Sequence, residues 1–147
     1  MRAFKMLIAS ACGALLCACA TPSAVSSNPT GAPLGPYSQV VEANGFVFFS
    51  GIVAASPQTG ALSGGDIQAQ SRQVLANLDA LLVASNLSRA DVVKTTVFLR
   101  DAADMRAMNA EYAEFFGDLR PARTTVPGAD WGGSGILIEI EVIAVRR

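Results

Sequence analysis

The sequence predicts an α+β fold, a two-layer domain with a sheet on one side and two helices covering one of its faces. Three observations lead to it. Strand-like and helix-like segments follow the order β-β-α-β-α-β-β, without regular βαβ repeats. Only two segments carry a helical period, enough to cover one side of a sheet. The strands FVFFSGIV, VVKTTVFL and ILIEIEVIAV are apolar on both sides of the pleat. The face without helices must then meet another subunit, because large apolar patches are rare on monomers. A closed ring of copies satisfies that need. At 147 residues the chain is long enough for one ordinary core.

The first segment, MRAFK, carries two positive charges, and MLIASACGALLCACA behind it has the length and character of a secretory signal. It is too short and too rich in small residues to span a membrane. LCAC, ending at Cys19, reads as a lipoprotein-type signal over residues 1–19, with Cys19 as the lipidated residue. ACA, Ala18 to Ala20, reads as an ordinary cleavage site closing a signal over 1–20. Both place the protein in the periplasm of a bacterial envelope, and the first ties it to the membrane by an N-terminal lipid. Residues 20–33 are mostly Pro, Ser, Thr and Gly and read as a flexible linker. The domain then runs over 34–147.

Within the domain, SQVVEA alternates weakly and Asn44-Gly45 is a strong hairpin signal, so FVFFSGIV returns as the second strand. Residues 56–65 are turn-forming throughout. From Asp66 to about Asn86 the period becomes helical, with Ile67, Val74, Leu78, Leu81, Leu82 and Ser85 on one face and Gln68, Gln70, Arg72 and Asp79 outside it. VVKTTVFL, 92–99, is β-branched and reads as a central strand. A second helix over about 104–116 presents Met105, Met108, Tyr112, Phe115 and Phe116, and Gly117 stops it. Arg123 opens a short strand, 127–135 is a Gly-rich loop, and the last strand carries Glu139 and Glu141 on one face.

Composition excludes several chemistries. The chain has no histidine, which removes the commonest general base and metal ligand. Its three cysteines all lie in the first 20 residues, so the domain has no thiol for catalysis or zinc. No metal-ligand cluster stands out. If Arg2 and Lys5 leave with a signal, the 11 basic side chains fall to about nine against 12 acidic ones, a poor balance for nucleic-acid binding. The loop GADWGGSG lacks the Gly-Lys-Ser/Thr of a phosphate loop. Asp101 and Asp104 read as helix caps, and Tyr112 and Trp131 as packing residues. The two glutamates need a partner if buried. One Gly-rich loop links the strand opened by Arg123 to the last strand, so the two strands read as neighbours, with Arg123 near Glu139. A structural ion pair is the plainer reading of that spacing. Arg is also suited to gripping a substrate carboxylate by two hydrogen bonds.

GPYSQ at 35–39, SG at 50–51, VVKTTVFLRD at 92–101, MNAEYAEFF at 108–116, PAR at 121–123 and IEIEVIAVRR at 138–147 resemble, in the same order, the Rid family of reactive-intermediate deaminases, also called the YjgF family. The resemblance covers about residue 34 to the end. It implies a chorismate-mutase-like α+β fold and a homotrimer whose sheets form a barrel, with three sites at the subunit clefts. By the same resemblance Arg123 binds the carboxylate of a small 2-imino or enamino acid and Glu139 positions the attacking water. Tyr37, Ser50, Gly51, Asn109 and Thr125 line the pocket. The products are a 2-oxo acid and ammonia, without metal or cofactor. The sequence departs from the family pattern at Thr125, where many members have Cys, at Ile52, where many have Gln, and in the 128–135 loop. Alternative readings of the same fold are a non-catalytic metabolite-binding or interaction trimer and, less favoured, an endoribonuclease.

Overall fold

Asn44 and Gly45 turn the chain back on itself with φ of 51° and 79° in the computed structural model, which describes residues 21–24, 29 and 35–147. Two successive positive φ values match the twist of flanking strands, which is why Asn-Gly is favoured here. The turn joins strand β2 (Val40–Ala43) to β3 (Phe46–Ile52). Helix α1 (Ile67–Ala84), strand β4 (Val92–Leu99), helix α2 (Met105–Phe116), strand β5 (Ala122–Pro127) and strand β6 (Ile138–Val145) follow. A two-residue strand β1 (Ser23–Ala24) precedes them and pairs antiparallel with β2. Residues 23 and 24 thus depart from the expected featureless linker. The outer edge of β2 offers unpaired backbone groups, and small side chains pass along it easily.

The six strands are ordered β1-β2-β3-β6-β4-β5. This corrects the expectation that β5 and β6 are neighbours. β4, α2 and β5 form one βαβ unit, and β5 pairs parallel with β4 at the sheet edge. β6 instead enters between β3 and β4, antiparallel to both. Apolar content sorts the two strands. Ile138, Ile140, Val142 and Ala144 of β6 are all buried, whereas β5, with Arg-Thr-Thr at its centre, buries no residue. The most apolar strand takes the centre and the polar one the edge.

Both helices pack on one face, so the two-layer α+β expectation holds. Val47 and Phe49 of β3, Val97 of β4 and the buried residues of β6 meet Leu78 and Leu82 of α1 and Met108 of α2 in one core. Asp66 caps α1 by accepting from Ala69 N at 2.9 Å. The other face carries Phe46 and Phe48 at 46% and 42% exposure, together with Ile143, Val145 and Phe98. It is the uncovered apolar face that the strand patterns anticipate.

Gln70, expected outside the buried side of α1, is 2% exposed. Its amide nitrogen donates to Gly135 O and its amide oxygen accepts from Leu137 N, both at 2.9 Å. One side chain thus pins the end of the Gly-rich loop where β6 begins. Gln70→Leu leaves both backbone groups without that partner and is expected to cost about 2–6 kcal/mol, from about 1–3 kcal/mol for each of the two buried unsatisfied groups. Denaturant unfolding checks this. A loss below about 0.5 kcal/mol would mean that the loop end is held by something else.

Candidate active site

The pairing of β3 with β6 contains an irregularity. Phe49 pairs with Val142 and Ile52 with Ile140, so β3 uses one extra residue over that interval. This is a β-bulge, a device that re-aims side chains beside sites. Phe49 and Ile52 both reach the core, at 3% and 2% exposure. Ser50 and Gly51 are therefore the residues displaced at the bulge. Ile52, one of the departures from the family pattern, packs in the core. Asn77 of α1 fixes the strand exit by donating to Val53 O at 3.0 Å and Ala55 O at 2.8 Å.

Ser50 also holds the segment that carries Tyr37. Its hydroxyl donates to Ser38 O at 2.8 Å, and its backbone N–H donates to Gln39 O at 2.9 Å. Gly51 faces Glu139 across the strand pair. A Cβ at residue 51 would overlap Oε1 of Glu139 and come within 3.0 Å of its Cγ. The glycine thus makes room for the carboxylate. Gly51→Ala is expected to push Glu139 aside and lower turnover about 100-fold, the scale of a misplacement near 1 Å. Steady-state assay of a variant that unfolds like wild type checks this, and unchanged turnover would remove Glu139 from the site.

Glu139 is half-buried and forms no ion pair among the described residues. Its Oε2 accepts from the indole Nε1 of Trp131 at 3.0 Å. Burial raises its pKa above the ordinary glutamate value, the Trp131 hydrogen bond opposes that rise, and the nearby Glu141 charge adds to it. Gly51, Trp131 and Glu139 thus come together, with Ser50 beside them and Tyr37 on the segment that Ser50 holds.

Arg123, Asn109 and Thr125 lie on the opposite face of the sheet. Arg123 is registered with Thr95, whose hydroxyl shares a 2.8 Å hydrogen bond with the Tyr112 hydroxyl of α2. The Arg123 guanidinium sits 4.6 Å from the centre of the Tyr112 ring, a cation–π stack. Burial raises the Tyr112 pKa, with the Thr95 hydrogen bond and the Arg123 charge acting against it, so the phenol stays neutral. Asn109, Tyr112, Pro121 and Arg123 line a concavity of about 400 Å³. Oδ1 of Asn109 is buried without a hydrogen-bond partner among the described residues. Thr125, two residues from Arg123 on an extended strand, shares its face.

The expected Arg123–Glu139 pair is therefore not formed within the chain. Glu139 pairs with Phe98, and Phe98 with Val126, three residues along β5 from Arg123. The two side chains stand on different faces of strands separated by β4. Arg123 forms no ion pair with any carboxylate among the described residues. Glu141 shares the uncovered face with Glu139, but it is exposed and borders a groove of about 260 Å³ with Phe48, Lys94 and Thr96. Sequence reasoning missed Trp131 and Tyr112, both read as packing residues. Tyr112 follows Asn109 by three residues, the spacing that puts both on one helix face, and this was the available signal. Cys19 lies outside the described residues.

The model of the Endoribonuclease L-PSP family matches residues 27–146. The chain is 46% identical over 115 residues to a RutC family protein of Pyrococcus horikoshii, which spans 78% of this chain and 90% of that one. It is 43% identical over 119 residues to 2-iminobutanoate/2-iminopropanoate deaminase of Salmonella typhimurium, covering 79% and 91%. Among solved structures, E. coli TdcF with bound serine superposes with a TM-score of 0.78 at 36% identity, covering 85% of this chain and 99% of that one. These relatives overturn the signal-peptide and lipoprotein expectation. About nine-tenths of each curated relative is matched by less than four-fifths of this chain, and the family match begins only at residue 27. The leader and the anchoring at Cys19 rested on the composition of residues 1–20, which lie outside the family match and outside the described residues.

Proposed function

The chain belongs to the Endoribonuclease L-PSP family, the YjgF/RutC/Rid group, some of whose members are named imine deaminases, and we propose that it hydrolyses small 2-imino acids to 2-oxo acids and ammonia. The observation that carries the reading is Arg123, placed over the Tyr112 ring at 4.6 Å and free of carboxylates among the described residues, in one concavity with the unsatisfied Asn109 oxygen. A fixed guanidinium fork suits the C1 carboxylate of such a substrate. Bound serine in a relative supports a small amino-acid-like ligand.

The two half-sites join between copies, so that Arg123, Asn109 and Thr125 of one copy face Glu139, Gly51, Ser50 and Tyr37 of the next. The uncovered face bearing Phe46 and Phe48 supports such packing, and three copies close a ring with three equivalent clefts. In each cleft the Glu139 carboxylate takes one proton from water as the water oxygen adds to C2 of the protonated imine, whose C=N electrons move to nitrogen. Glu139 returns that proton to the nitrogen of the tetrahedral intermediate, the O–H electrons form the C=O bond as the C–N bond breaks, ammonia leaves with the 2-oxo acid behind, and the hydroxyl proton passes to water. An imine is already electrophilic, so placing water and charge is most of the work. No histidine is needed.

The test generates 2-iminopropanoate or 2-iminobutanoate in situ and follows 2-oxo acid release with and without the protein. Acceleration that scales with protein concentration and is lost in Arg123→Ala supports the reading. A folded oligomer that leaves the spontaneous rate unchanged refutes it and favours a non-catalytic binding trimer.

A further inference from the structure

The chain has a single tryptophan, and its indole N–H is spent on the carboxylate of Glu139. The loop that presents it is anchored at both ends. Ala129 N donates to Leu99 O at 3.0 Å, and Gln70 clamps Gly135 and Leu137 at 2.9 Å. Between these anchors, the Asp130 carboxylate accepts from Gly132 N at 2.9 Å, and Gly132 and Gly133 take φ of 61° and 77°, which closes the turn directly behind Trp131. Glu139 is thus confined from two sides. Gly51 leaves space for Oε1, and Trp131 holds Oε2.

We propose that Trp131 is the positioning residue of Glu139, fixing one carboxylate oxygen so that the other is aimed into the cleft and favouring the ionised form that accepts a proton from water. This rests on the deaminase reading for its consequence in turnover, but the contact itself can be tested without any substrate. A donor to a carboxylate stabilises the charged form, so removing it raises the pKa of the acid. Other charges near Glu139 are few. Glu141 lies on its own strand, β3 contributes only Ser50 and Gly51, and Asp130 stands beside Trp131. Lys94 of β4 is on the same face, with Nζ bonded to Thr95 O and Thr124 Oγ1 at 2.8 Å. Arg100 continues β4 two residues past Phe98, the partner of Glu139, with its N–H donating to Leu137 O at 2.9 Å, and in the assembled cleft Arg123 of the adjacent copy is a further charge.

The substrate-free experiment titrates the emission of Trp131 in the wild-type protein. A transition is expected above the ordinary glutamate range, because protonation of Oε2 removes the acceptor of the indole N–H. It should vanish in Glu139→Gln and survive in Asp130→Asn. A flat titration, or a transition that persists in Glu139→Gln, overturns the proposal whatever the protein's activity. The second experiment compares pH profiles of kcat/KM for wild type and Trp131→Phe, which keeps an aromatic ring in the loop. The acid limb should move to higher pH, with activity at the alkaline plateau recovered to within about 10-fold, the loss of a single hydrogen bond of about 1 kcal/mol. A uniformly lowered profile with an unmoved limb would assign Trp131 to packing alone. If the emission behaves as expected while no imine is hydrolysed, the positioning contact stands and the deaminase reading falls.

Discussion

Arg123→Ala is expected to leave a folded protein whose turnover of 2-iminopropanoate falls by about 30-fold to several-thousand-fold. Truncating one partner of a desolvated charge pair costs about 2–5 kcal/mol, and each 1.36 kcal/mol lost in the transition state is about tenfold in rate. The fold itself loses little. Arg123 is on the exposed edge strand and makes no ion pair among the described residues, so only its stack on Tyr112 disappears. Such an exposed cation–π contact is worth about 0.5–1 kcal/mol. Stability and activity should therefore separate sharply. Arg123→Lys should recover only part of the loss, because an ammonium keeps the charge but not the two-pronged geometry. Near-wild-type hydrolysis by Arg123→Ala, with unchanged unfolding, would end the carboxylate-clamp role.

The sheet and both helices were legible in the sequence because their signals are local. Asn44-Gly45 fixes a hairpin by backbone preference, and the apolar stripes of α1 and α2 follow from a 3.6-residue period. Parity along β6 placed Glu139 and Glu141 on one face correctly, and apolar residues on both sides of β3 gave the uncovered face. What failed was non-local. A Gly-rich loop of nine residues can join adjacent strands or cross over a third, and nothing in PGADWGGSG distinguishes the two. β6 takes the centre because of its apolarity relative to β5, a comparison between strands that a reading of each in turn does not make. The Arg123–Glu139 pairing fell with that adjacency. Gln70 was misjudged for a related reason. Polarity predicts exposure, but its amide is the one group on α1 able to satisfy a carbonyl and an N–H together at the loop end. Trp131 looks like a packing residue in any sequence, and only the fold brings it to the carboxylate eight residues later.

The separation of Arg123 from Glu139 has a consequence that single variants cannot reach. Glu139→Gln should assemble normally and be strongly slowed, because an amide cannot accept the proton from water. Glu141→Gln, on the same face but exposed, should disturb assembly more than rate. If each cleft takes its arginine from one copy and its glutamate from the next, two inactive variants can complement one another. Arg123→Ala chains still carry an intact glutamate half, and Glu139→Gln chains an intact arginine half. When the two are unfolded together in equal amounts and reassembled, a cleft is complete whenever its arginine half comes from a Glu139→Gln chain and its glutamate half from an Arg123→Ala chain. Random closure of a ring gives that combination in about one cleft in four. Mixed assemblies should thus recover about a quarter of wild-type activity from two preparations that each have almost none, and the gain should require subunit exchange. If mixing recovers nothing while exchange is demonstrated by mass, each chain works alone and the shared cleft is wrong.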